Sequence, residues 1–393
     1  MDIFGLCRDR RAMATILVMM FILSATLTYV TMEMDVLTAF PGILTTLRLP
    51  YKSFRTIQIP QNITLNTQQI HIHFYNPPEW FNKKNVFRGC PSNCSMSTGA
   101  KHYQDKDVVI FFGPRLSFSP VPKRRGQIWV LHGKEAPPNH TPIRKWKGLF
   151  NWTMTYRRDS DFPHLYGDFR NVPNAAVLRL NTTLKFMPVQ NATIIPKPKR
   201  SARSTAWFVS HCKVQSKRQE YVRTLQTTHP VDVFGACGTN RCGKGKEHGC
   251  LRPYKVYLSF ENSLCRDYIT EKAFKIYGND LGVIPVTRGI GRQYSLYLPP
   301  GSFINTVSYK SIDQLGRFLD YLIKNETLYS NYFEWRSQYQ ARFDGYSSFC
   351  ELCNRMHKPD VHTRYRRVYR DIHQWWFGSS DVQICITPTD LHK

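Results

Sequence analysis

Carboxylates are scarce in this chain. Its 393 residues carry 28 Asp and Glu against 54 Lys and Arg, a formal charge of +26, and an excess of that size calls for an anionic partner. The basic residues are dispersed along the chain, which argues against a nucleic-acid or heparin binder, where they would cluster. No histidine pair has the H-x-x-x-H spacing that sets two zinc ligands on one helix face, so zinc-dependent hydrolysis is unsupported. No internal repeat is strong enough to suggest a solenoid or propeller. The stretch "GTNRCGKG", residues 238–245, ends on Gly245 where a phosphate loop needs a Ser or Thr for magnesium, so it reads as a disulfide-bound loop instead.

Charge is also missing from residues 12–32, and there the absence is informative. About 20 apolar residues span a bilayer as a helix, whereas the apolar core of a cleaved signal is about 7 to 15 residues long. Arg8, Arg10 and Arg11 precede the run and Glu33 and Asp35 follow it, so the positive-inside rule places the tail in the cytosol and the rest in the lumen. The expectation is a single-pass type II protein with cytosolic residues 1–11, a signal anchor over 12–32 and a stem over 33–66. Seven N-x-[ST] sequons agree with a luminal chain: Asn62, Asn93, Asn139, Asn151, Asn181, Asn191 and Asn325. Nucleic acid is thereby set aside as a partner.

Ten of the 11 cysteines follow the anchor, in a compartment that oxidises thiols. "CPSNC" (Cys90, Cys94) and "CELC" (Cys350, Cys353) could hold zinc through four thiolates, but in the lumen two disulfides between the two segments are expected. Cys212, Cys237, Cys242, Cys250 and Cys265 form a second group whose pairing the sequence leaves open, as it does for Cys385.

The apolar runs "IHIHFYN", "DVVIFFG", "GQIWVLHG" and "FNWTMTYR" read as buried strands. A Pro-rich basic stretch over 188–204 reads as a linker. Beyond it, "TAWFVSHC", "VDVFGAC", "KVYLSFEN" and "GVIPVTRG" alternate with helical segments such as "KRQEYVRTLQTTH" and "TEKAFKIYGND", the pattern of a doubly wound parallel sheet. Residues 311–336 read as one long packing helix opened by a capping box from Ser311 to Gln314. The expected domains are 67–190 and 200–350, with 351–393 tied back to the first.

The most informative stretch is "KVYLSFENSLCRDYITEKAF", residues 255–274. Ligands of open α/β sheets bind beyond the carboxyl ends of the strands, where Glu261 and Asn262 fall. Thr270 takes a helix N-cap with Glu271 and Lys272 in the first turn, a place suited to a phosphate. Glu271 would accept from sugar hydroxyls, while Asn262 and Tyr268 would orient the same ligand. A solvated helix cap with a local Glu/Lys pair is the plainer alternative. Asp159 and Asp161 in "RRDSD" have metal-pair spacing, but two arginines separate them from the strand.

"FENSLCRDYITEK" followed by "GVIPVTRG" resembles the donor-binding signature of Golgi α-1,3-fucosyltransferases, and "FNWTMTYRRDSDFPHLYG" is similar to that family's acceptor-side segment. The resemblance runs from about residue 70 to the end. It implies an α/β fold of the GT-B type, two Rossmann-like domains facing a cleft, and inverting transfer of L-fucose from GDP-fucose to the 3-hydroxyl of GlcNAc. Asn262, Tyr268, Glu271 and Lys272 match the family's donor-binding residues, Arg218 its diphosphate-binding arginine, and Glu135 in "VLHGKEAPPNH" its general base. Trp152, Tyr156 and Arg157 fall on the acceptor side. Family members commonly read Glu-Ser-Pro where this chain has Glu-Ala-Pro. Cys212 and Cys265 flank the donor motif as a pair does in core-type and invertebrate-like members. The implied partners are GDP-fucose, a glycoprotein or glycolipid acceptor and the Golgi membrane, with no obligatory cofactor and divalent-cation stimulation left open. A membrane-anchored lectin is the competing class, but it has no need of a Lys in a first helical turn after a strand-end "FEN". The membrane expectation is checked by carbonate extraction, which should leave the protein in the membrane pellet; release into the aqueous fraction overturns the anchor.

Overall fold

The computed structural model describes residues 68–172, 205–243, 245–278, 281–343, 345–360 and 367–391. The anchor over 12–32, the stem, the linker over 188–204 and the sequons at Asn62, Asn181 and Asn191 lie outside the described residues. Among the described residues no helix is long and apolar enough to cross a membrane.

Two five-stranded sheets organise the chain. The first contains β1 (Ile70–Phe74), β2 (Cys94–Thr98), β3 (Val108–Phe112), β4 (Ile128–Gly133) and β5 (Trp152–Thr155). All are parallel, in the order β2-β1-β3-β4-β5. Four of them coincide with the apolar runs of the sequence. The fifth, β2, has the sequence CSMST with every residue only half-buried, so it carries no apolar signature and is defined by its pairing with β1. A short antiparallel ribbon of β6 (Asp168–Asn171) and β12 (Tyr339–Arg342) joins the end of this region to the end of the next.

The second sheet holds β7 (Thr205–Phe208), β8 (Val231–Phe234), β9 (Val256–Phe260), β10 (Ile284–Arg288) and β11 (Ile304–Asn305), again all parallel. Helices α1 (Arg218–Leu225), α2 (Glu247–Leu251) and α3 (Glu271–Tyr277) alternate with its strands, and α4 (Ile312–Lys324) and α5 (Glu326–Asn331) follow. Its order, β11-β10-β9-β7-β8, makes the chain leave edge strand β8 and return on the far side of β7. Crossovers therefore diverge at the carboxyl ends of β7 and β9, and a crevice opens there.

The long helix expected over 311–336 is broken. Asn325 adopts an extended backbone (φ −101°, ψ 98°), ends α4, and caps α5 by accepting from the Leu328 N–H. An Asx side chain that offers the backbone this local alternative stops a helix despite continuous apolar periodicity. The cap at the other end forms as expected: Ser311 Oγ accepts from Gln314 N at 3.0 Å.

Residues of alternating parity on the first sheet point to opposite faces. Ile110, Val130 and Met154 belong to one core, Val109, Phe111 and Leu131 to the other. Among the described residues the connections of this sheet hold only short 3₁₀ turns, so it departs from a fully helix-wrapped Rossmann unit. Its cover comes from the distant end of the chain. Helix α6 (Ser347–Met356) inserts Phe349, Leu352 and Met356 into one face, and α7 (Ile372–Phe377) places Ile372 and Trp376 on the other.

Disulfides Cys90–Cys350 and Cys94–Cys353 fix α6 to the first sheet, the connection expected of "CPSNC" and "CELC". Cys212 bonds Cys237, Cys242 bonds Cys250, and Cys265 bonds Cys385, so Cys212 and Cys265 do not form a pair with each other. The last of these bridges also corrects the expected course of residues 351–393. Its helices reach back to the first sheet, but its final segment returns to the second.

Three histidines are buried where the first sheet meets its covering helices: His132, His140 and His164. His132 Nε2 and His164 Nδ1 share a hydrogen bond of 2.9 Å. Burial holds His132 and His140 down at about 3 and His164 well below its usual range. The unfolded chain binds these protons near pH 6.5 and the folded chain does not, so their contribution to stability is complete above pH 6.5 and is lost as pH falls toward about 3. Thermal midpoints should therefore decline steadily between pH 6.5 and about 4.5, and more gently in His164→Phe. A flat or rising midpoint in the unsubstituted protein overturns the assignment.

Candidate active site

The carboxyl end of β9 delivers Glu261 into a fully buried position, with 1% exposure. Its oxygens accept from Thr270 N at 2.8 Å and from Thr270 Oγ1 at 3.0 and 2.8 Å. Thr270 is the N-cap of α3, as the sequence predicts, its side chain accepting from Lys272 N. Lys272 Nζ lies 3.2 Å from Glu261 and 3.0 Å from Glu271, and donates to Thr270 Oγ1 at 2.9 Å. Burial pushes the Glu261 carboxyl up and pulls Lys272 down; for Lys272 the charges of Glu261 and Glu271 outweigh it and hold the ammonium well above its ordinary range. Lys272 is therefore a fixed positive charge at neutral pH. Glu271 is exposed, on the open side of the first turn.

Arg218 opens α1 and is 3% exposed. It donates from Nη1 to Phe260 O at the end of β9 and from Nη2 to His211 O after β7, so it straddles the point where the crossovers diverge. Its Nε is buried without a partner, as are Asn262 Oδ1 and Ser263 Oγ in the loop after β9. Buried polar atoms are nearly always hydrogen-bonded. Three unpartnered ones at the same edge of one sheet mark a place built for something polar.

Glu135 comes from the other sheet, two residues beyond β4. Tyr268 OH donates to its Oε2 at 3.2 Å and Asn139 Nδ2 donates to the same oxygen at 3.3 Å, while Oε1 has no such bond among the described residues. The backbone there is pinned through His140: Trp376 Nε1 donates to His140 Nδ1 at 3.1 Å, so the neutral ring carries its proton on Nε2 and donates to Glu135 O at 3.0 Å. Burial raises the Tyr268 phenol far above its usual range, keeping it a neutral donor. Tyr156 packs edge-on against it, ring centroids 4.8 Å apart.

Of the residues singled out in the sequence, Glu135 and Tyr268 meet across the two sheets, Lys272 and Glu271 pair, and Arg218 and Asn262 flank the end of β9. The three acceptor-side residues do not line a cleft. Trp152 is in the core under α6, Tyr156 supports Tyr268, and Arg157 is folded against Asp159 and stacked on Trp375; their exposures are 1, 1 and 2%. A segment so aromatic fills the interior before it faces solvent. Asp161 accepts from Thr153 and Tyr369 and pairs with Arg367, so the "RRDSD" carboxylates hold the fold together. Two roles were missed: Glu261 as the buried counter-ion of Lys272, and Asn139, legible only as a sequon, as a donor to Glu135. Among the described residues, the His/Cys/Asp/Glu group close enough to share a metal is Cys94, Cys353 and His357, and its two sulfurs are bonded to each other.

Burial also revises the sequons. Asn151 is 4% exposed; its amide oxygen accepts from Trp129 N and Lys123 Nζ, and its nitrogen donates to Arg367 O. A glycan cannot be attached there without breaking the edge of the first sheet. Asn93 is exposed. Asn139 is exposed as well. Glycopeptide mapping should find Asn151 unmodified in the folded protein, while Asn93 and Asn139 are accessible acceptors; substantial occupancy of Asn151 contradicts the packing.

The family described as the N-terminal part of fucosyltransferases matches residues 67–167, and glycosyltransferase family 10 (fucosyltransferase), C-terminal part, matches residues 198–375. α-(1,3)-Fucosyltransferase C of Drosophila melanogaster is 36% identical over 291 residues, 70% of this chain and 67% of the relative. α-(1,3)-Fucosyltransferase 7 of Mus musculus is 32% identical over 333 residues, 81% and 77% of the two chains. A crystal structure of an α1,3-fucosyltransferase with GDP-fucose is similar over 80% of this chain and 96% of its own, with a TM-score of 0.49 and 14% identity. The matched regions enclose both sheets and every residue of the site, and this chain belongs to glycosyltransferase family 10, the fucosyltransferases, as an enzyme of fucosyl transfer.

Proposed function

We propose that the protein is an inverting α-1,3-fucosyltransferase of the GT-B type that moves L-fucose from GDP-fucose to the 3-hydroxyl of GlcNAc in a glycoprotein or glycolipid. It works on the luminal side of the Golgi membrane, held there by the anchor over 12–32. The observation that carries the reading is the contact of Glu135 with Tyr268. It sets a carboxylate with one free oxygen opposite the lobe that holds Lys272 and Arg218.

In this reading Glu135 Oε1 takes the proton from the acceptor hydroxyl as that oxygen attacks the fucose anomeric carbon from the face opposite GDP. The carbon–oxygen bond to the diphosphate breaks with its electron pair on GDP. Lys272 and the Nε–H of Arg218 meet the negative charge that builds on the leaving diphosphate, where fixed donors do most for the rate. Glu271, on the exposed side of α3, accepts from ribose hydroxyls, and Asn262 and Tyr268 orient the donor. No general acid is needed, because the diphosphate leaves as an anion. A lectin-like role is disfavoured, since it gives no work to a carboxylate and a cation pair arranged this way.

Glu135→Gln keeps the hydrogen bond from Tyr268 but loses the proton acceptor, so turnover should fall about 10²- to 10⁴-fold with GDP affinity close to normal. Lys272→Ala should instead raise the donor KM and lower kcat together, each by about 10-fold or more, and should lower the thermal midpoint because Glu261 is left buried without its counter-ion. Steady-state kinetics with donor and acceptor varied separately decide the matter. Near-normal turnover in Glu135→Gln rejects the base.

A further inference from the structure

Among the sequons, Asn139 differs from the rest in its contact with Glu135. Its Nδ2 donates to Glu135 Oε2 at 3.3 Å, the oxygen that also accepts from Tyr268. Asn139 and Thr141, the two residues that define the sequon, are both exposed, while His140 between them is buried. The amide nitrogen open to glycosylation is therefore the one that holds the proposed base.

The backbone keeps that nitrogen where it is. Pro137–Asn139 is a 3₁₀ turn, in which Asn139 N donates to Ala136 O and His140 N to Pro137 O, both at 2.9 Å. Pro137 and Pro138 fix two of its φ angles. His140 locks the end of the turn, since its ring donates to Glu135 O and accepts from Trp376 Nε1. It is also packed against Gly113, where an added Cβ would come within 2.7 Å of His140 Nδ1. Only the side-chain torsions of Asn139 remain free, and they turn Nδ2 about a fixed Cα. Anything attached to it stays rooted beside Glu135.

We propose that Asn139 is N-glycosylated and that its glycan restricts the acceptor side of the site. The inference rests on Glu135 being the base. In the modification, Nδ2 attacks the anomeric carbon of an oligosaccharide carried on a lipid diphosphate, supplied with its own transferase by the secretory pathway. One N–H becomes an N–C bond, the proton passes to that transferase, and the carbon–oxygen bond breaks with its electron pair on the lipid diphosphate. The new bond is about 1.45 Å long. With the 3.3 Å contact kept, the anomeric carbon of the root sugar lies at most about 4.8 Å from Glu135 Oε2. The root ring and an incoming acceptor hydroxyl then compete for the same side of Glu135. Of the two hydrogens of the free amide, one is left, and it serves Glu135 only when turned toward it. Lys272 and Arg218 belong to the other lobe, so acceptor entry is hindered and donor binding is not.

The test compares full-length protein from a glycosylating host with two variants. Thr141→Ala removes the sequon and leaves the Asn139 amide in place, whereas Thr141→Ser keeps the sequon. Glycopeptide mapping should find a glycan on Asn139 in the unsubstituted protein and in Thr141→Ser, and none in Thr141→Ala. The acceptor kcat/KM should be about 10-fold higher in Thr141→Ala than in the other two, with the donor KM the same in all three. Trimming every glycan to its root sugar should leave the unsubstituted protein slow, because the root is what stands beside the base. A change in donor KM as large as that for the acceptor would indicate a general structural effect and overturns the proposal. It is also overturned by an unoccupied Asn139, by equal acceptor kinetics with and without the sequon, or by full recovery on trimming. Glu135→Gln in the Thr141→Ala background separates this from the reading beneath it. Lost turnover there keeps Glu135 as the base whatever the glycan does, and near-normal turnover removes the base and this inference together.

Discussion

The structure of the site depends on one buried carboxylate. Glu261 leaves the end of β9 with no access to solvent, and an ion there is tolerated only if its lone pairs and its charge are met. Thr270 meets the lone pairs with its backbone and hydroxyl, and Lys272 meets the charge. Those demands fix the start of α3 against the end of β9, a placement reinforced where Ser259 Oγ donates to Lys272 O. The loop between strand and helix then has no freedom in length or direction. It carries Asn262 and Tyr268 to the cleft because its two ends are held by the same ion pair.

A second constraint acts on the first sheet, which has two apolar faces and, among the described residues, no α-helix in its own connections. Helices α6 and α7 cover it from the other end of the chain, and two disulfides keep α6 in place. The returning helices thereby tie the far end of the chain to the first sheet. Trp376 of α7 illustrates the result: it packs on Tyr156, which packs on Tyr268, and it also fixes the tautomer of the histidine that holds the Glu135 carbonyl. A residue near the end of the sequence thus sets the positions of both partners in the contact between lobes.

Much of this was legible in the sequence, for physical reasons. Buried parallel strands are short continuous apolar runs, so β3, β4, β9 and β10 announce themselves; β2 is a half-buried edge of small polar residues and does not. The break at Asn325 was hidden because apolar periodicity continued through it and only the Asx cap interrupts the backbone. Glu261, Thr270 and Lys272 lie within twelve residues, and local spacing suffices to bring them together. Trp152, Tyr156 and Arg157 misled because aromatic and basic residues occur both in glycan sites and in cores, and burial is not written in one segment. The partners of Glu261 are local, whereas Arg288 and Asp390 are 102 residues apart and meet only after the chain has covered the first sheet and returned.

The distribution of charge explains why both lobes are required. The fixed positive groups, Lys272 and Arg218, sit on the second lobe, Lys272 paired with the buried Glu261 and Arg218 hydrogen-bonded, among the described residues, only to backbone carbonyls. The free carboxylate oxygen of Glu135 sits on the first. If both lay on one lobe at hydrogen-bond distance they would neutralise each other as an ion pair, and neither would be available to a substrate. Separation keeps the Glu135 carboxylate and the cations apart, and Tyr268, a neutral hydrogen-bond donor rooted in the loop after β9, bridges the two lobes without carrying charge between them. Whatever engages the loop after β9 therefore acts directly on the hydrogen bond that Glu135 Oε2 accepts from Tyr268.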